Sequence, residues 1–164
     1  MRYHNITKER YAQWRRGCGL CFGWQAAAII VLSAIILLHG ILMADWFFDE
    51  QAKEELFEEL KKDYVSGVTF SGGDPFHLEN REEIGALAKE IREKFPDKTI
   101  WLYTGYEWEE ICHLSFLSNI DVIVDGKFKI EEKDNNLHWK GSANQRVIDV
   151  KASLRAGEVR LYQE

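Results

Sequence analysis

The sequence predicts an α/β protein, because short apolar strands alternate with amphipathic helices along most of the chain. Between Val68 and Val124 the order is strand, helix, strand, helix, strand, which is typical of a parallel sheet with covering helices. Each of these strands is followed by a loop that contains glycine. A chain of 164 residues is long enough to form one domain with a substantial core.

Three helices are predicted by apolar residues at helical spacing. The first spans Phe48–Lys62, where Asp49 can cap the first turn. The second spans Glu79–Phe95 and ends before Pro96, which cannot continue a helix. The third spans Glu107–Leu117. Glu and Lys residues occupy the remaining positions of the first helix, so we expect its outer face to lie in solvent.

The three strands are predicted at Val68–Phe70, Thr99–Tyr103 and Ile120–Val124, which are rich in β-branched and aromatic residues. Parallel strands run in the same direction, so their C-terminal ends lie on one edge of the sheet. In open α/β sheets this edge is where small molecules bind. The loops that follow the three strands are therefore the candidate binding site.

The loop after the first strand contains Ser71, Gly72, Gly73, Asp74 and Pro75. Glycine has no Cβ, so the backbone can turn sharply here and a ligand can approach it closely. Asp74 places a carboxylate at the turn, and Pro75 restricts the direction in which the chain leaves it. The same residues also suit an ordinary strand-to-helix turn. The loop alone therefore leaves a turn and a binding site as alternatives.

The loops after the other two strands add polar groups to the same edge. Thr104 and Gly105 follow the second strand, and Asp125 follows the third. Lys127 and the later polar segment 141–145 could also contribute to the site. Simple surface exposure is the alternative for Lys127 and for the glutamine of that segment.

The net charge of −6 gives no electrostatic reason to expect nucleic-acid binding, since proteins that bind nucleic acids usually carry a basic face. The chain has three cysteines, Cys18, Cys21 and Cys112. This number is small and odd, so it does not suit a disulfide framework. A reducing cytoplasm is therefore the expected compartment. Cys18 and Cys21 form a C-x-x-C pair without a third partner, so no metal site is predicted there.

Residues 26–44 are almost wholly apolar and predict an aberrant N-terminal helix. These 19 residues nearly match the length that crosses a bilayer as a helix. Arg15 and Arg16 precede the run and would keep the N-terminus inside. A single-pass membrane anchor is therefore one interpretation of the run. The chain divides into an aberrant segment 1–48, an α/β domain 49–155 and a tail 156–164.

Four loop motifs occur in order along the chain: Thr69–Pro75, Trp101–Tyr106, Val124–Phe128 and Gly141–Gln145. Their order and spacing resemble those of the activating proteins of anaerobic ribonucleoside-triphosphate reductases, a family of radical S-adenosylmethionine enzymes. The resemblance covers roughly residues 49–150, together with the opening Tyr3–Ile6. Four ordered motifs make it far more specific than any one of them alone.

The resemblance implies a partial (β/α) barrel that holds a 4Fe-4S cluster on three cysteines of a C-x3-C-x2-C loop. S-adenosylmethionine would bind the cluster, and its reductive cleavage would generate a glycyl radical on the large subunit of the reductase. The electron donor is left unspecified. The resemblance also implies that Gly72, Gly73 and Asp74 receive the ammonium group of S-adenosylmethionine, and that the cofactor site further includes Ser71, Thr104, Gly105, Asp125 and Lys127.

The cysteine loop that the resemblance implies is missing from the sequence, and the apolar run stands in its place. The present chain is therefore expected to show little or no activity. One alternative is a non-catalytic, membrane-anchored α/β binding module that has kept a nucleoside or S-adenosylmethionine pocket. Another is an activating enzyme of a different glycyl-radical enzyme, although segment 141–145 favours the reductase by the same resemblance.

A slip of the reading frame would explain both the missing loop and the apolar run. Suppose that each true codon consists of the last base of one codon and the first two bases of the next. The codon at the junction of Trp24 and Gln25 would then encode alanine, and the codon at the junction of Met43 and Ala44 would encode glycine. Codon degeneracy then permits cysteine at three junctions, which restores the C-x3-C-x2-C spacing. These junctions are Ala26/Ala27, Ile30/Val31 and Ser33/Ala34.

Overall fold

A computed structural model describes residues 2–3, 5–8, 28–33, 46–47, 50–71 and 74–163, with side chains for the last two ranges. Its elements in chain order are β1 (Arg2–Tyr3), β2 (Asn5–Lys8), β3 (Ala28–Ser33), β4 (Trp46–Phe47), α1 (Glu50–Leu60), β5 (Val65–Ser71), α2 (Arg81–Lys94), β6 (Thr99–Tyr103), α3 (Trp108–Ile111), β7 (Val122–Asp125), β8 (Arg146–Asp149) and α4 (Val150–Ala156). Short 3₁₀ turns lie at Ser115–Asn119 and Ile130–Glu132.

The strands confirm the predicted α/β class. Six of them form one sheet in the order β2-β3-β5-β6-β7-β8, and β1 pairs with β4 in a separate two-stranded sheet. Strands β3, β5, β6 and β7 are parallel, whereas β2 and β8 run antiparallel at the two edges. The predicted parallel order of the three strands is therefore correct. Closure into a partial barrel stays a prediction.

The hydrophobic core lies between one face of this sheet and the helices. Ile100 and Leu102 alternate with Trp101 and Tyr103 along β6, and only the first pair is fully buried. Strand register places Val68 and Phe70 of β5, and Ile123 of β7, on the same face as Ile100 and Leu102. This face packs against apolar side chains of α1 and α2, which are Leu56, Leu60, Ile84, Leu87, Ala88 and Ile91.

The predicted apolar helix over residues 26–44 is wrong at residues 28–33, which form strand β3. This segment includes three consecutive β-branched residues, Ile29, Ile30 and Val31, which suit a strand better than a helix. β3 also pairs along its whole length with β5, which would otherwise present an unpaired edge. The rest of the apolar run lies outside the described residues.

Within the described part of the chain, no helix has the length and apolar character needed to cross a membrane. Strands β2 and β3 instead connect the N-terminal segment to the same sheet as the α/β domain. At the other end, residues assigned to the predicted tail also join this sheet. Arg160 O accepts a hydrogen bond from Asp149 N (2.9 Å), and Tyr162 N donates to Val147 O (2.9 Å).

The predicted helix Glu107–Leu117 is shorter than expected and ends at Ile111. Its N-terminus carries a capping box between Glu107 and Glu110, but Leu114 adopts an extended conformation that interrupts the helix. The following 3₁₀ turn buries Leu117 completely. Tertiary burial therefore overrides the local helical spacing.

Asp121 joins three elements of the fold. Its carboxylate accepts hydrogen bonds from Arg92 Nη2 on α2 (2.5 Å), Ile100 N on β6 (2.8 Å) and Lys151 Nζ on α4 (2.7 Å). Burial alone would raise the pKa of Asp121, but the hydrogen bonds from Lys151, Ile100 and Arg92 hold the pKa below its ordinary value. The ionised carboxylate therefore stabilises the folded state.

We expect Asp121→Asn to lower the free energy of unfolding by about 2 kcal/mol at neutral pH, because Arg92 and Lys151 lose their anionic partner. The pKa of Asp121 is lower in the folded than in the unfolded chain. Its contribution is therefore complete above its unfolded pKa of about 4 and is lost as the pH falls through the folded value. Urea denaturation at several pH values measures this effect. The exposed Asp97→Asn is the control, and a difference from wild type that does not shrink in acid would contradict the expectation.

Candidate functional site

The C-terminal ends of β5, β6 and β7 lie on one edge of the sheet, as the sequence predicts. Thr104, just after β6, donates its N–H to Val124 O on β7 (3.0 Å). Two residues later, Tyr106 O accepts a hydrogen bond from Gly126 N (3.0 Å). The loops after β6 and β7 are therefore joined by backbone hydrogen bonds.

Asp74 connects the loop after β5 to the loop after β6. Its Oδ1 accepts hydrogen bonds from Phe76 N (2.9 Å) and from the Thr104 hydroxyl (2.7 Å). Its Oδ2 accepts a hydrogen bond from Gly105 N (2.8 Å). The carboxylate is thus engaged by three donors of the protein itself. Gly72 and Gly73, which the sequence places in the same site, lie outside the described residues.

Of the remaining predicted residues of these two loops, Thr104 and Gly105 lie close to the Asp74 carboxylate. Ser71 is the last residue of β5 and is half-buried. Thr104 is buried, and its hydroxyl also accepts a hydrogen bond from Tyr106 N (3.2 Å). A Cβ on Gly105 would lie 3.3 Å from Asp74 Oδ2. Glycine at position 105 therefore allows the close approach of the two loops.

Asp125, the last residue of β7, is 1% exposed and forms an ion pair with Arg146 of β8. Its Oδ2 also accepts a hydrogen bond from Trp108 N (2.9 Å), which anchors the start of α3. The Arg146 guanidinium also donates two hydrogen bonds to the Glu109 carboxylate, from Nη1 to Oε1 (3.0 Å) and from Nη2 to Oε2 (2.8 Å). These contacts raise the pKa of Arg146, with Glu109 and then Asp125 as the main causes, and Arg146 in turn lowers the pKa of Glu109.

The sequence did not single out Arg146, although it is the cation that neutralises the buried Asp125. A positively charged residue somewhere near a buried aspartate is expected on physical grounds. Nothing in the linear spacing pairs residues 125 and 146, because their contact arises from the antiparallel register of β7 and β8. Only the sheet topology therefore reveals this pair.

Gly126 and Lys127 form the turn after β7. Gly126 has φ of +88°, a backbone conformation that favours glycine. Lys127 is exposed, and its ammonium group has no hydrogen-bond or ion-pair partner among residues 50–71 and 74–163. Lys127 therefore places an exposed cation on this edge of the sheet.

Segment 141–145 packs against this turn through side-chain amides. Gln145 Nε2 donates to Gly126 O (3.0 Å), and Asn144 Nδ2 donates to Lys127 O (2.9 Å). Gln145 is 8% exposed, so the alternative of simple surface exposure is wrong for this residue. We call residues 74–76, 104–106, 125–127 and 141–145 the loop belt, because hydrogen bonds connect these four loops in succession.

The described residues do not supply the ligands of an iron–sulfur cluster. Such a cluster is normally held by several cysteine thiolates. Cys112 is the one cysteine in the described part of the chain, and it is exposed. No group of three His, Cys, Asp or Glu side chains in residues 50–71 and 74–163 could hold a metal ion. Cys18 and Cys21 lie outside the described residues. A cluster therefore does not fit the side chains that the structure describes.

The fold defines an α/β protein in which the loop belt lies at the C-terminal edge of parallel strands, and comparison with known families makes this class more specific. A family model for the 4Fe-4S single cluster domain matches residues 10–148. The match extends through most of the N-terminal segment in which the cysteine motif is missing. The prediction of an iron–sulfur family is thereby confirmed. No solved structure matches the chain.

Curated relatives make the assignment more specific. The chain is similar to the anaerobic ribonucleoside-triphosphate reductase-activating proteins of Enterobacteria phage T4 (44% identity over 100 residues), Haemophilus influenzae (39% over 104) and Escherichia coli K12 (36% over 104). Each match covers 61% of this chain and 64%, 67% and 68% of the respective relative. The chain therefore belongs to the family of anaerobic ribonucleoside-triphosphate reductase-activating proteins, as its four ordered motifs predict.

We expect Asp74→Ala to loosen the attachment between the loops after β5 and β6. The amide hydrogens of Phe76 and Gly105 lose their acceptor, so their exchange with solvent should accelerate at least about tenfold, equivalent to about 1.4 kcal/mol. Hydrogen exchange followed by NMR measures this change. Asp97→Ala, at an exposed turn, serves as the control. Unchanged exchange at Gly105 would show that Asp74 does not hold the loop.

We expect Arg146→Met to lower the free energy of unfolding by about 3 kcal/mol or more, because it leaves Asp125 buried without its cation. Chemical denaturation at neutral pH measures the loss. Arg155→Met removes an exposed arginine from the last turn of α4 and should change stability by less than about 0.5 kcal/mol. Equal effects of the two substitutions would contradict a structural role for the buried ion pair.

Proposed function

We propose that this protein descends from an activating enzyme of anaerobic ribonucleoside-triphosphate reductase and retains its cofactor-binding edge. The family activity is the formation of a glycyl radical on the reductase large subunit by reductive cleavage of S-adenosylmethionine at a 4Fe-4S cluster. The observation that carries the proposal is the loop belt, which joins all four family motifs at the C-terminal edge of parallel strands. The parallel strands β3, β5, β6 and β7 would belong to a partial barrel.

S-adenosylmethionine has groups that suit this edge. Its amino-acid part carries a carboxylate and an ammonium group, and Lys127 offers an exposed ammonium to the carboxylate. Carbonyl oxygens of Ser71, Gly72 and Gly73 would accept hydrogen bonds from the ligand ammonium. Asp74 already accepts three internal hydrogen bonds, so its contribution would be mainly the negative charge that it places near the ligand ammonium. Thr104, Gly105 and Asp125 would act by holding the loops in place.

The sequence lacks the C-x3-C-x2-C motif, so we expect the family reaction to be impaired in this chain. The frame-slip hypothesis accounts for this lack. Strand β3 ends at Ser33, on the same edge of the sheet as the loop belt, because it runs parallel to β5 and pairs with Ser71 there. The residues that follow β3, from 34 to 45, include no cysteine. In the shifted frame, codon degeneracy permits three cysteines between codons 26 and 34.

Sequencing the gene across codons 9 to 49 tests the frame slip directly. We expect a pair of compensating insertions or deletions, one on each side of the apolar run. A single intact frame, confirmed in independent isolates and by mass spectrometry of the protein, would refute the hypothesis.

Anaerobic reconstitution with iron and sulfide tests the consequence for the cluster. We expect the present chain to bind close to no iron and a variant with the restored frame over residues 17–48 to bind about four iron atoms. Iron analysis and visible absorbance measure the result. A variant of the restored chain with its three cysteines replaced by serine is the matched control. Full cluster formation on the present chain would overturn the expectation.

Activation of the reductase tests the proposed function itself. With S-adenosylmethionine and a chemical reductant, the restored chain should produce a glycyl radical on the reductase, detected by electron paramagnetic resonance. The present chain should produce none. A restored chain that binds the cluster but activates a different glycyl-radical enzyme, and not the reductase, would favour the alternative partner.

A further inference from the structure

Segment 141–145 has a role in the loop belt that its sequence did not indicate. Gln145 Oε1 accepts hydrogen bonds from Gly141 N (2.9 Å) and Ser142 N (3.2 Å), which closes the segment on itself. Gln145 Nε2 points the other way and donates to Gly126 O (3.0 Å). A single buried amide therefore shapes its own loop and attaches that loop to the turn after β7.

Two neighbouring amides of the segment hold two neighbouring carbonyls of the turn. Asn144 Nδ2 donates to Lys127 O (2.9 Å), next to the contact between Gln145 and Gly126. The peptide units on the two sides of Lys127 therefore each have a fixed carbonyl and cannot rotate freely. Because Gly126 lies in the left-handed region, with φ of +88°, its conformation depends on such contacts more than that of a residue with a side chain.

We propose that Gln145 is a positioning residue for the cofactor site. It holds the peptide between Gly126 and Lys127 so that the Lys127 ammonium faces the anionic group of the ligand. Both ends of the Gln145 amide are required, because its oxygen accepts hydrogen bonds from N–H donors and its nitrogen donates one to a carbonyl. The inference rests on the proposed function for the identity of the ligand, whereas the contacts of Gln145 are independent of it.

Charged groups around Gln145 determine how a carboxylate at this position would titrate. Lys140 Nζ donates to the carbonyl oxygen of Gln145 (2.8 Å), and the next residue, Arg146, is paired with Asp125 and Glu109. Lys129 N donates to Ser142 Oγ, while the Lys129 ammonium pairs with Glu132 (3.2 Å).

The cations and the N–H donors would favour an ionised carboxylate at position 145. Burial and the facing Gly126 carbonyl would favour the protonated form.

Gln145→Glu separates positioning from simple packing, because it changes hydrogen bonding with almost no change in shape. An ionised Glu would place an acceptor against Gly126 O, and a protonated Glu would restore a donor there. We expect the affinity for S-adenosylmethionine to fall about tenfold at about pH 7.5 and to recover in acid as the introduced carboxyl becomes protonated. Titration of the isotope-labelled full chain, followed by NMR, measures both the affinity and the Gly126 and Lys127 amide signals.

Two further variants distinguish the proposal from a loss of fold. Gln145→Met should bind weakly both at neutral pH and in acid, because it cannot donate at any pH. Gln51→Glu makes the same chemical change at an exposed position of α1 and should leave affinity unchanged. If the variants at position 145 do not fold, Asn144→Ala removes the contact to Lys127 O, together with the hydrogen bond that Asn144 Oδ1 accepts from the Ser142 hydroxyl (2.8 Å), and should still weaken binding.

The outcomes separate this proposal from the proposed function. If wild type binds and Gln145→Glu binds equally well at about pH 7.5, the positioning role is overturned. If wild type does not bind S-adenosylmethionine, yet the Gly126 and Lys127 signals of Gln145→Glu shift towards their wild-type positions in acid, the proposed ligand is wrong and the positioning of the turn is supported. If those signals are the same in all variants, both at neutral pH and in acid, Gln145 does not position the turn.

Discussion

Parallel pairing of β5, β6 and β7 is the constraint on which the rest of the structure depends. Each connection between parallel strands must cross back over the sheet, so the helices cover one face and supply the partners of the buried strand residues. The same constraint places the three strand ends side by side. The core and the candidate site are therefore two consequences of one topology.

Polar groups at the strand ends are satisfied mainly by neighbouring loops. Asp74 and Asp125 carry the negative charges that the sequence assigned to a pocket, yet both accept several hydrogen bonds from the protein itself. A carboxylate that is buried, as Asp125 is, or half-buried, as Asp74 is, is costly unless donors or cations compensate it. This cost explains why Arg146 lies beside Asp125 and why Thr104 and Gly105 lie beside Asp74. The exposed Lys127 is the contrasting case, because solvent can hydrate its charge.

In the N-terminal segment, residues 28–33 form a strand of the sheet, and such a position places few demands on the sequence. Residues 28–33 occupy the place next to β5 because an apolar, β-branched run can pair with any exposed parallel edge of suitable length. An iron–sulfur site demands far more, since it requires several thiolates at defined spacing. A family member can therefore keep its sheet without the C-x3-C-x2-C motif, which is absent from this sequence. The family model reaches into this segment, which is consistent with a relationship that persists after the cysteine motif is lost.

The sequence by itself determined the α/β class, two of the three predicted helices, the strand at Thr99–Tyr103 and the family. These features follow from local periodicity and from short motifs, which need no knowledge of distant contacts. It also placed Ser71, Asp74, Thr104, Gly105 and Lys127 on one edge, since parallel strands share a direction. Binding roles for these residues stay predictions.

The tertiary structure decided what depends on contacts between distant residues. The pairing of Asp125 with Arg146 required the register of β7 and β8, and the break after Ile111 required the burial of Leu117. The strand at residues 28–33 required the free edge of β5, because the length of the apolar run 26–44 by itself predicts a helix. Gln145 became visible as a contact of Gly126 only when the 18 residues between them had been folded into place.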